Sequence, residues 1–379
     1  MIPLSIPNLG DAERDRVAKV VADGWVSSAG PDIAAFEQQV ADYCGTRFGV
    51  GMSSGTAALH LAFKVLETGP EDLVLAPNLT FVASLNAVAY TGATPILVDV
   101  DRFTGQMDLD LVEAYLEKET EFRDGASFEI SSGKRIRAIL AVHVLGYSCD
   151  MDRLLEIARA RGIPVVEDAA EALGSRWKER SLGSFGLLSA LSFNGNKIIT
   201  TGSGGMLLSN DQRLSEHARH LSTQAKSFSA EYVHDEVGYN YRMANLNAAL
   251  GLAQMERLPD FLARKQEIYF FYATQLADLP AHCLNFGSEH LLPNFWLFTL
   301  FTPQARQLED FLTYNKIQCR KLWVPMNRLP MYRPCRYLST EDHSHRLYEQ
   351  SLSLPCSTGI TDGELETVAE KVVGFLKKV

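Results

Sequence analysis

Three short stretches carry residue types that could do chemistry together. Residues 192–197 read SFNGNK and are followed by IITTGSGGMLLSN, which puts Lys197 behind a small polar turn between two apolar segments. A lysine in a turn is ordinarily solvated, but one desolvated at a strand end is available as a nucleophile or as an imine. The apolar segment IPVVED ends on Asp168. A carboxylate at a buried strand end is costly unless it meets a cation or is well hydrogen-bonded. A helix N-cap or a structural ion pair would satisfy it as well as a ligand would. The third stretch, SSGTAALHLAF at 53–63, follows a strand-like run and opens a helix-like one. Free backbone N–H groups and the positive helix end make such a junction a place for phosphate. Gly55 would let the phosphate approach the backbone and Thr56 would add a hydroxyl, although an ordinary capped helix reads the same way. The P-loop pattern GxxxxGK[ST] is absent.

In this order, a phosphate cradle, a buried acid and a lysine suit pyridoxal 5'-phosphate (PLP). The acid keeps the ring nitrogen protonated so that the ring draws off electrons, and the lysine forms the Schiff base.

The elements that must position these residues are legible as alternating patterns. Apolar runs lie at FGVGMS near 48–53, LVLAP at 73–77, PILVDV at 95–100, IRAILAVHVLG at 136–146, IPVVEDA at 163–169, LSALSF at 188–193 and GGMLLSN at 204–210. Amphipathic segments such as TAALHLAFKVLE, NAVAYTG and MDRLLEIARARG separate the first five. Continuous apolar strands alternating with helices imply a sheet buried on both faces and mostly parallel. The last two runs are joined by a turn-rich stretch, so one antiparallel strand is expected. In such sheets chemistry gathers beyond the carboxyl ends of the strands, where Asp168, the SFNGNK turn and His143 are placed. His143 reads equally as a structural histidine at a strand end. The polar stretch EKETEFRDGASFEISSGKR, 117–135, reads as a solvated surface loop. The pattern changes to long amphipathic helices beyond about 255, and a domain boundary is expected near 256–262.

Composition bounds the rest. The 379 residues are 46% hydrophobic and 22% charged, as in ordinary globular proteins. A formal net charge of −10 argues against a nucleic-acid partner, which needs a concentrated basic face. No run approaches the roughly 20 apolar residues that span a bilayer, and the start MIPLSIPNLGDAERDRV does not read as a signal peptide. A cytoplasmic protein without a membrane partner is expected. The cysteines at 44, 149, 283, 319, 335 and 356 show no zinc-like spacing, so reduced thiols and no metal site are expected.

The combination GWVSSAGPDIAAFE, SSGTAALHLA, PNLTFVAS, VHVLGYSCDMD, VVEDAAEALGS, SFNGNKIITTGSGGM, GYNYRMANLNAALGLAQ and LWVPMNRLPMY resembles the DegT/DnrJ/EryC1/StrS family of sugar aminotransferases over nearly the whole chain. SFNGNK and EDAAEALGS are most similar to the branch that aminates C4 of nucleotide-linked 4-keto-6-deoxy sugars, which includes LegC-, bacillosamine- and perosamine-type enzymes. The resemblance implies an α/β fold of the type I PLP-dependent aminotransferases. Its large domain, 1–258, would hold a seven-stranded, mostly parallel sheet, and a small C-terminal domain would span 259–379, with the N-terminal segment packing on the latter. It further implies a homodimer with the active site at the interface, a cofactor cycling between PLP and its pyridoxamine form (PMP), and L-glutamate as amino donor. The first choice of substrate is UDP-2-acetamido-2,6-dideoxy-hexos-4-ulose, and GDP-4-keto-6-deoxymannose is the alternative. A PMP-dependent sugar dehydratase and a non-enzymatic regulator are further alternatives; Lys197 argues against the dehydratase, whose relatives carry histidine there.

Carried over residue by residue, the resemblance makes Lys197 the Schiff-base lysine and the acid/base that moves the substrate proton. Asp168 would pair with the pyridinium nitrogen and Phe81 would stack on the ring. Gly55, Thr56 and Ser192 would hold the phosphate, with Asn240 reaching it from the other subunit and Arg242 a second candidate there. Glu171 falls against the cofactor's phenolic oxygen and is expected to share a proton, its pKa raised. Substrate contacts are expected from Trp25, His143, Arg242, Arg320, Lys321 and Trp323, where Arg320 and Lys321 read equally as solvated charges. Two departures stand out. Asn327 replaces a frequent histidine, which leaves any role of that position open, and Ser203 replaces a frequent glycine.

Overall fold

The computed structural model describes residues 1–227, 231–284 and 288–378. Each of the seven apolar runs becomes a strand: β1 (Phe48–Met52), β2 (Asp72–Pro77), β3 (Thr94–Val98), then, after a hairpin of β4 (Thr120–Arg123) and β5 (Ala126–Glu129), β6 (Arg135–Val142) and β7 (Val165–Asp168). A two-residue pair, β8 (Arg176–Trp177) and β9 (Arg180–Ser181), precedes β10 (Leu188–Ser192) and β11 (Gly205–Ser209). The seven long strands lie in the order β1-β11-β10-β7-β6-β2-β3. Only β11 runs antiparallel to its neighbours among them.

Alternation along each strand explains why the sheet is covered on both faces. Ala138 and Leu140 of β6 join one core, with Val74, Ala76 and the apolar face of α3 (Gly55–Val65), which follows α1 (Asp11–Ala22) and α2 (Pro31–Cys44) in the chain. Ile139 and Ala141 join the opposite core with Leu75 and Val165. Successive side chains point to opposite faces, so near-continuous apolar strands require two apolar layers. The remaining helices of this part are α4 (Val82–Ala89), α5 (Leu109–Lys118), α6 (Met151–Ala160), α7 (Gln212–Ser222) and α8 (Asn245–Glu256). Asp108, Asp150 and Asp211 cap α5, α6 and α7 through their side chains, each satisfying backbone N–H groups that have no helical partner.

The sheet is wider than the seven strands expected. It has ten, because the β4–β5 hairpin joins the edge of β6 and β15 (Tyr337–Leu338) adds parallel to β3. The 117–135 stretch is therefore not a solvated loop. Asp124 and Gly125 turn the chain with positive φ (51° and 76°), the Asp-Gly signature of a two-residue hairpin, and Ala126, Ser127 and Glu129 are buried.

Beyond α8 the chain runs through α9 (Leu258–Leu276), β12 (His282–Cys283), β13 (Leu291–Leu292), β14 (Thr299–Phe301), α10 (Ala305–Tyr314), β15, α11 (His343–Gln350), β16 (Ser351–Ser353) and α12 (Asp362–Leu376). Strands β12, β14 and β16 form a small antiparallel sheet. The expected division falls at the start of α9, and one apolar cluster runs across it, joining Leu75 to Trp296 and Phe298. The N-terminal segment lies on the C-terminal part: Ile2 bridges Ile317, and the Cys356 N–H donates to the Leu4 carbonyl at 3.0 Å. Among the described residues no helix is long and apolar enough to cross a membrane.

Helix α8 packs against α2 at a bare backbone. A Cβ on Gly251 would lie 2.6 Å from the Phe36 ring and 2.9 Å from the Thr201 methyl. Phe36 is fully buried, edge-on to Phe193 with ring centroids 5.1 Å apart. Gly251→Ala should therefore destabilise the protein by about 1–3 kcal/mol through overpacking. Urea unfolding should show a lower midpoint at unchanged slope; an unchanged midpoint would show that the contact has room to relax.

Candidate active site

The register of the sheet brings the chemistry-bearing residues to one edge. Asp168 ends β7 opposite Val142 of β6 and Ala190 of β10, and β10 itself ends two residues later at Ser192. From there the chain folds back on itself. The Phe193 N–H donates to the Gly204 carbonyl and the Thr201 N–H to the Phe193 carbonyl, both at 2.9 Å. The Lys197 N–H closes the turn onto the Asn194 carbonyl at 3.0 Å. This loop, the start of α3 and the start of α4 surround a cavity of about 310 Å³. Its walls include Gly55, Thr56, Phe81, Asp168, Glu171, Ser192, Lys197, Arg320 and Trp323.

The Lys197 amine lies 3.4 Å from Glu171 Oε1 and 4.1 Å from the centre of the Trp296 ring. Glu171 is buried, and its Oε2 accepts the Leu145 N–H at 2.8 Å. Burial pushes the Glu171 carboxyl above its ordinary pKa, against the opposing pull of the Lys197 charge. Asp168 accepts the Ser84 hydroxyl at 2.7 Å on Oδ2 and the Ala170 N–H at 3.1 Å on Oδ1. Burial raises its pKa too, even with these donors in place. Two carboxyls and one amine in a confined space make a site that can hold and move protons and can still accept a cation.

The other end of the cavity is bounded by the start of α3. Ser54 caps α3 by accepting the Ala57 N–H, and Gly55 and Thr56 of its first turn line the cavity; a helix start of this kind offers free N–H groups to an anion. Glycine is required at two places here. A Cβ on Gly55 would sit 2.9 Å from Ser192 Cβ, and one on Gly205 would sit 2.4 Å from the Ser54 backbone. Ser203 donates its hydroxyl to the Ser53 carbonyl at 2.8 Å, so serine is accommodated where glycine was expected. Phe81 and Trp323 form one wall, their ring centroids 6.2 Å apart and tilted 54°.

Several expected contacts lie elsewhere. His143 is not a cavity residue. It is 1% exposed and pairs through Nε2 with Glu167 Oε2 at 2.8 Å. Glu167 in turn accepts the N–H groups of Gly183, Phe185 and Gly186. Lys321 turns away to Glu349 at 3.2 Å, because the strand-like pairing of Arg320 with Ser353 sends successive side chains to opposite sides. Trp25 lines a separate depression with Arg16, Lys19 and Asp32. Asn240 and Arg242 do not line this chain's cavity; their backbones bridge Thr223 and Met52. Asn327 is engaged by Asn78, which accepts its N–H at 2.8 Å and donates to its Oδ1 at 3.1 Å.

Ser84, Ser54 and Trp296 are among the cavity residues that escaped the sequence reading. Ser84 lies one helical turn beyond Phe81, a spacing that could have flagged it. Ser54 carries the N-cap signature. Trp296 is 99 positions from Lys197 in the chain and has no local signal.

Residues 7–373 match the DegT/DnrJ/EryC1/StrS aminotransferase family. The chain belongs to that family. It is 35% identical to a GDP-perosamine synthase of Escherichia coli O157:H7, over 99% of this chain and 98% of the relative. It is 37% identical to one of Caulobacter vibrioides (strain ATCC 19089 / CIP 103742 / CB 15), over 97% and 96%. The solved structure of Spr1654 from Streptococcus pneumoniae in its PLP form superposes with a TM-score of 0.88 at 26% identity, covering 100% of this chain and 99% of that one. The protein is thus a PLP-dependent aminotransferase. The cavity fits that cofactor: it offers a buried carboxylate with no ion-pair partner of its own among the described residues, a helix start opened by glycine, and an amine between them.

The buried Glu167 gives this family member a measurable pH signature. Burial alone would raise its pKa, but the hydrogen bond from His143 and the three backbone N–H groups outweigh burial and hold it below the ordinary 4.5. A depressed carboxyl contributes stability that is present above the unfolded-state value and lost as pH falls through the folded one. Glu167→Gln should cost about 3 kcal/mol at pH 7. In urea unfolding the gap to wild type should shrink as pH falls below 4.5. A gap independent of pH would contradict this assignment.

Proposed function

We propose that the protein transfers the amino group of L-glutamate to C4 of a GDP-linked 4-keto-6-deoxy sugar, making the corresponding 4-amino sugar for surface glycans. The observation that carries this reading is the Lys197 amine set 3.4 Å from Glu171, in the same cavity as Asp168 and the glycine-opened helix start. The likeness to two GDP-perosamine synthases favours GDP over the UDP-linked acetamido sugar expected first from the sequence.

When bound, PLP supplies an electron sink that lets a C–H bond next to nitrogen give up its proton. The chain's own residues do the rest. Asp168, pre-aligned by Ser84 and the Ala170 N–H, holds the pyridine nitrogen protonated. The start of α3 and Ser192 would hold the phosphate, and Phe81, in the same cavity wall, would hold the ring. Lys197 would carry the proton between donor carbon and cofactor, and Glu171, its pKa raised by burial, lies 3.4 Å from that amine. Arg320 and Trp323, at the rim, meet the nucleotide sugar. Asn240 and Arg242 lie outside the chain's own cavity, which is what a contribution to the partner subunit's site in a homodimer requires. The small domain, 259–379, supplies Trp296, Arg320 and Trp323 to the cavity lining. The cytoplasm, where nucleotide sugars are made, is the proposed location.

A half-reaction screen tests the substrate. PMP-loaded protein is mixed with GDP-, UDP- and dTDP-linked 4-keto-6-deoxy sugars, and the return of the visible cofactor band is followed. The GDP sugar should react at least about tenfold faster than the others, a discrimination of the size a few polar contacts supply. Faster reaction with the UDP-linked acetamido sugar would refute the GDP assignment.

A further inference from the structure

Lys265, on α9, is 3% exposed and has no carboxylate within ion-pairing distance among the described residues. Its ammonium instead donates to two carbonyls, Trp296 O and Cys356 O, each at 2.6 Å, with the Cys356 sulfur at 3.7 Å. Burial pulls its pKa down. A lysine so placed is a costly way to satisfy two carbonyls, which directs attention to what those carbonyls hold.

Trp296 is held on every side. Its N–H donates to Asn294 Oδ1 at 3.0 Å, and the Asn294 amide donates to the Glu171 carbonyl at 2.8 Å. Its indole N–H donates to the Asn196 carbonyl at 2.6 Å, in the turn that presents Lys197. Its ring face lies 4.1 Å from the Lys197 nitrogen. An aromatic face at that distance stabilises the cationic form of the nitrogen. Lys265 clamps the remaining polar group of the Trp296 backbone, its carbonyl.

We infer that Lys265 is a positioning residue for the reaction: by gripping the Trp296 carbonyl it seats the indole against Lys197 and so sets how tightly that nitrogen holds its proton. The other charged groups facing Lys197 are Glu171, 3.4 Å away, Asp168 across the cavity, and Arg320 at its rim. Lys265 itself shares a small polar void with Lys197, lined also by Ser5, Asn8 and Thr200. A direct charge effect of Lys265 is therefore the rival explanation, and it has the opposite sign. Removing a nearby positive charge would tighten proton binding at Lys197; losing the seated ring would loosen it.

The inference rests on Lys197 being the lysine that binds the cofactor, and its test reads the bound cofactor's colour, not turnover. The pH midpoint of the visible band, which reports the proton on the lysine–cofactor nitrogen, is measured for holoenzyme of wild type, Lys265→Met, Trp296→Leu and the double variant. Lys265→Met and Trp296→Leu should each lower the midpoint by about half a unit. The double variant should shift no further than Trp296→Leu alone, since the lysine acts through the ring. An unmoved or raised midpoint in Lys265→Met, or additive shifts in the double variant, overturns the inference. If Lys265→Met does not fold, Trp296→Leu alone decides: an unmoved midpoint there overturns it as well. A wild-type protein that takes up PLP without any pH-dependent visible band would instead count against the reading of Lys197.

Discussion

A carboxylate buried without a cation of its own is the constraint around which this site is organised. Asp168 is 6% exposed, and its bonded donors among the described residues are one hydroxyl and one backbone N–H. Left so, burial raises its pKa and the folded protein bears the cost at neutral pH. A protonated pyridine nitrogen, the partner proposed for Asp168, would remove that cost. Glu171, a few residues on, is also buried and raised in pKa, but it faces a cation, the Lys197 amine.

The fold meets this constraint through strand order. Parallel β6, β7 and β10 end side by side, so Val142, Asp168 and Ser192 reach the same edge without any long-range adjustment. The antiparallel β11 then returns the chain past the start of α3, and it passes close because Gly55 and Gly205 have no side chains. A parallel successor to β10 would have needed a crossover connection of about a dozen or more residues. The C-terminal part contributes Trp296, Arg320 and Trp323 to the cavity wall. Its position is fixed by β13 and β15, which pair with strands of the large part.

What was legible in the sequence follows from which interactions are local. The seven strands, their alternation with helices and the single antiparallel strand are written in short-range periodicity, and they came through in order. The residues at strand ends and at the first helix turn were legible for the same reason. Long-range partnerships were not. Nothing near His143 announces that Glu167, fully buried, takes its imidazole away from the cavity. Nothing near Lys321 announces Glu349. Trp296 and Lys265 meet the active site only after the C-terminal part folds back. The β4–β5 hairpin is a different kind of miss, since its Asp-Gly turn was present in the sequence and was outweighed by the density of charge around it.

The most direct measurement of the central claim is borohydride reduction of the PLP-loaded protein followed by digestion and mass mapping of the modified lysine. Reduction fixes a Schiff base irreversibly to the nitrogen that formed it, whichever lysine that is. The expected result is one modified site per chain, at Lys197. Modification at Lys265 or any other lysine, or a loaded and coloured protein that reduction leaves unmodified, would contradict it.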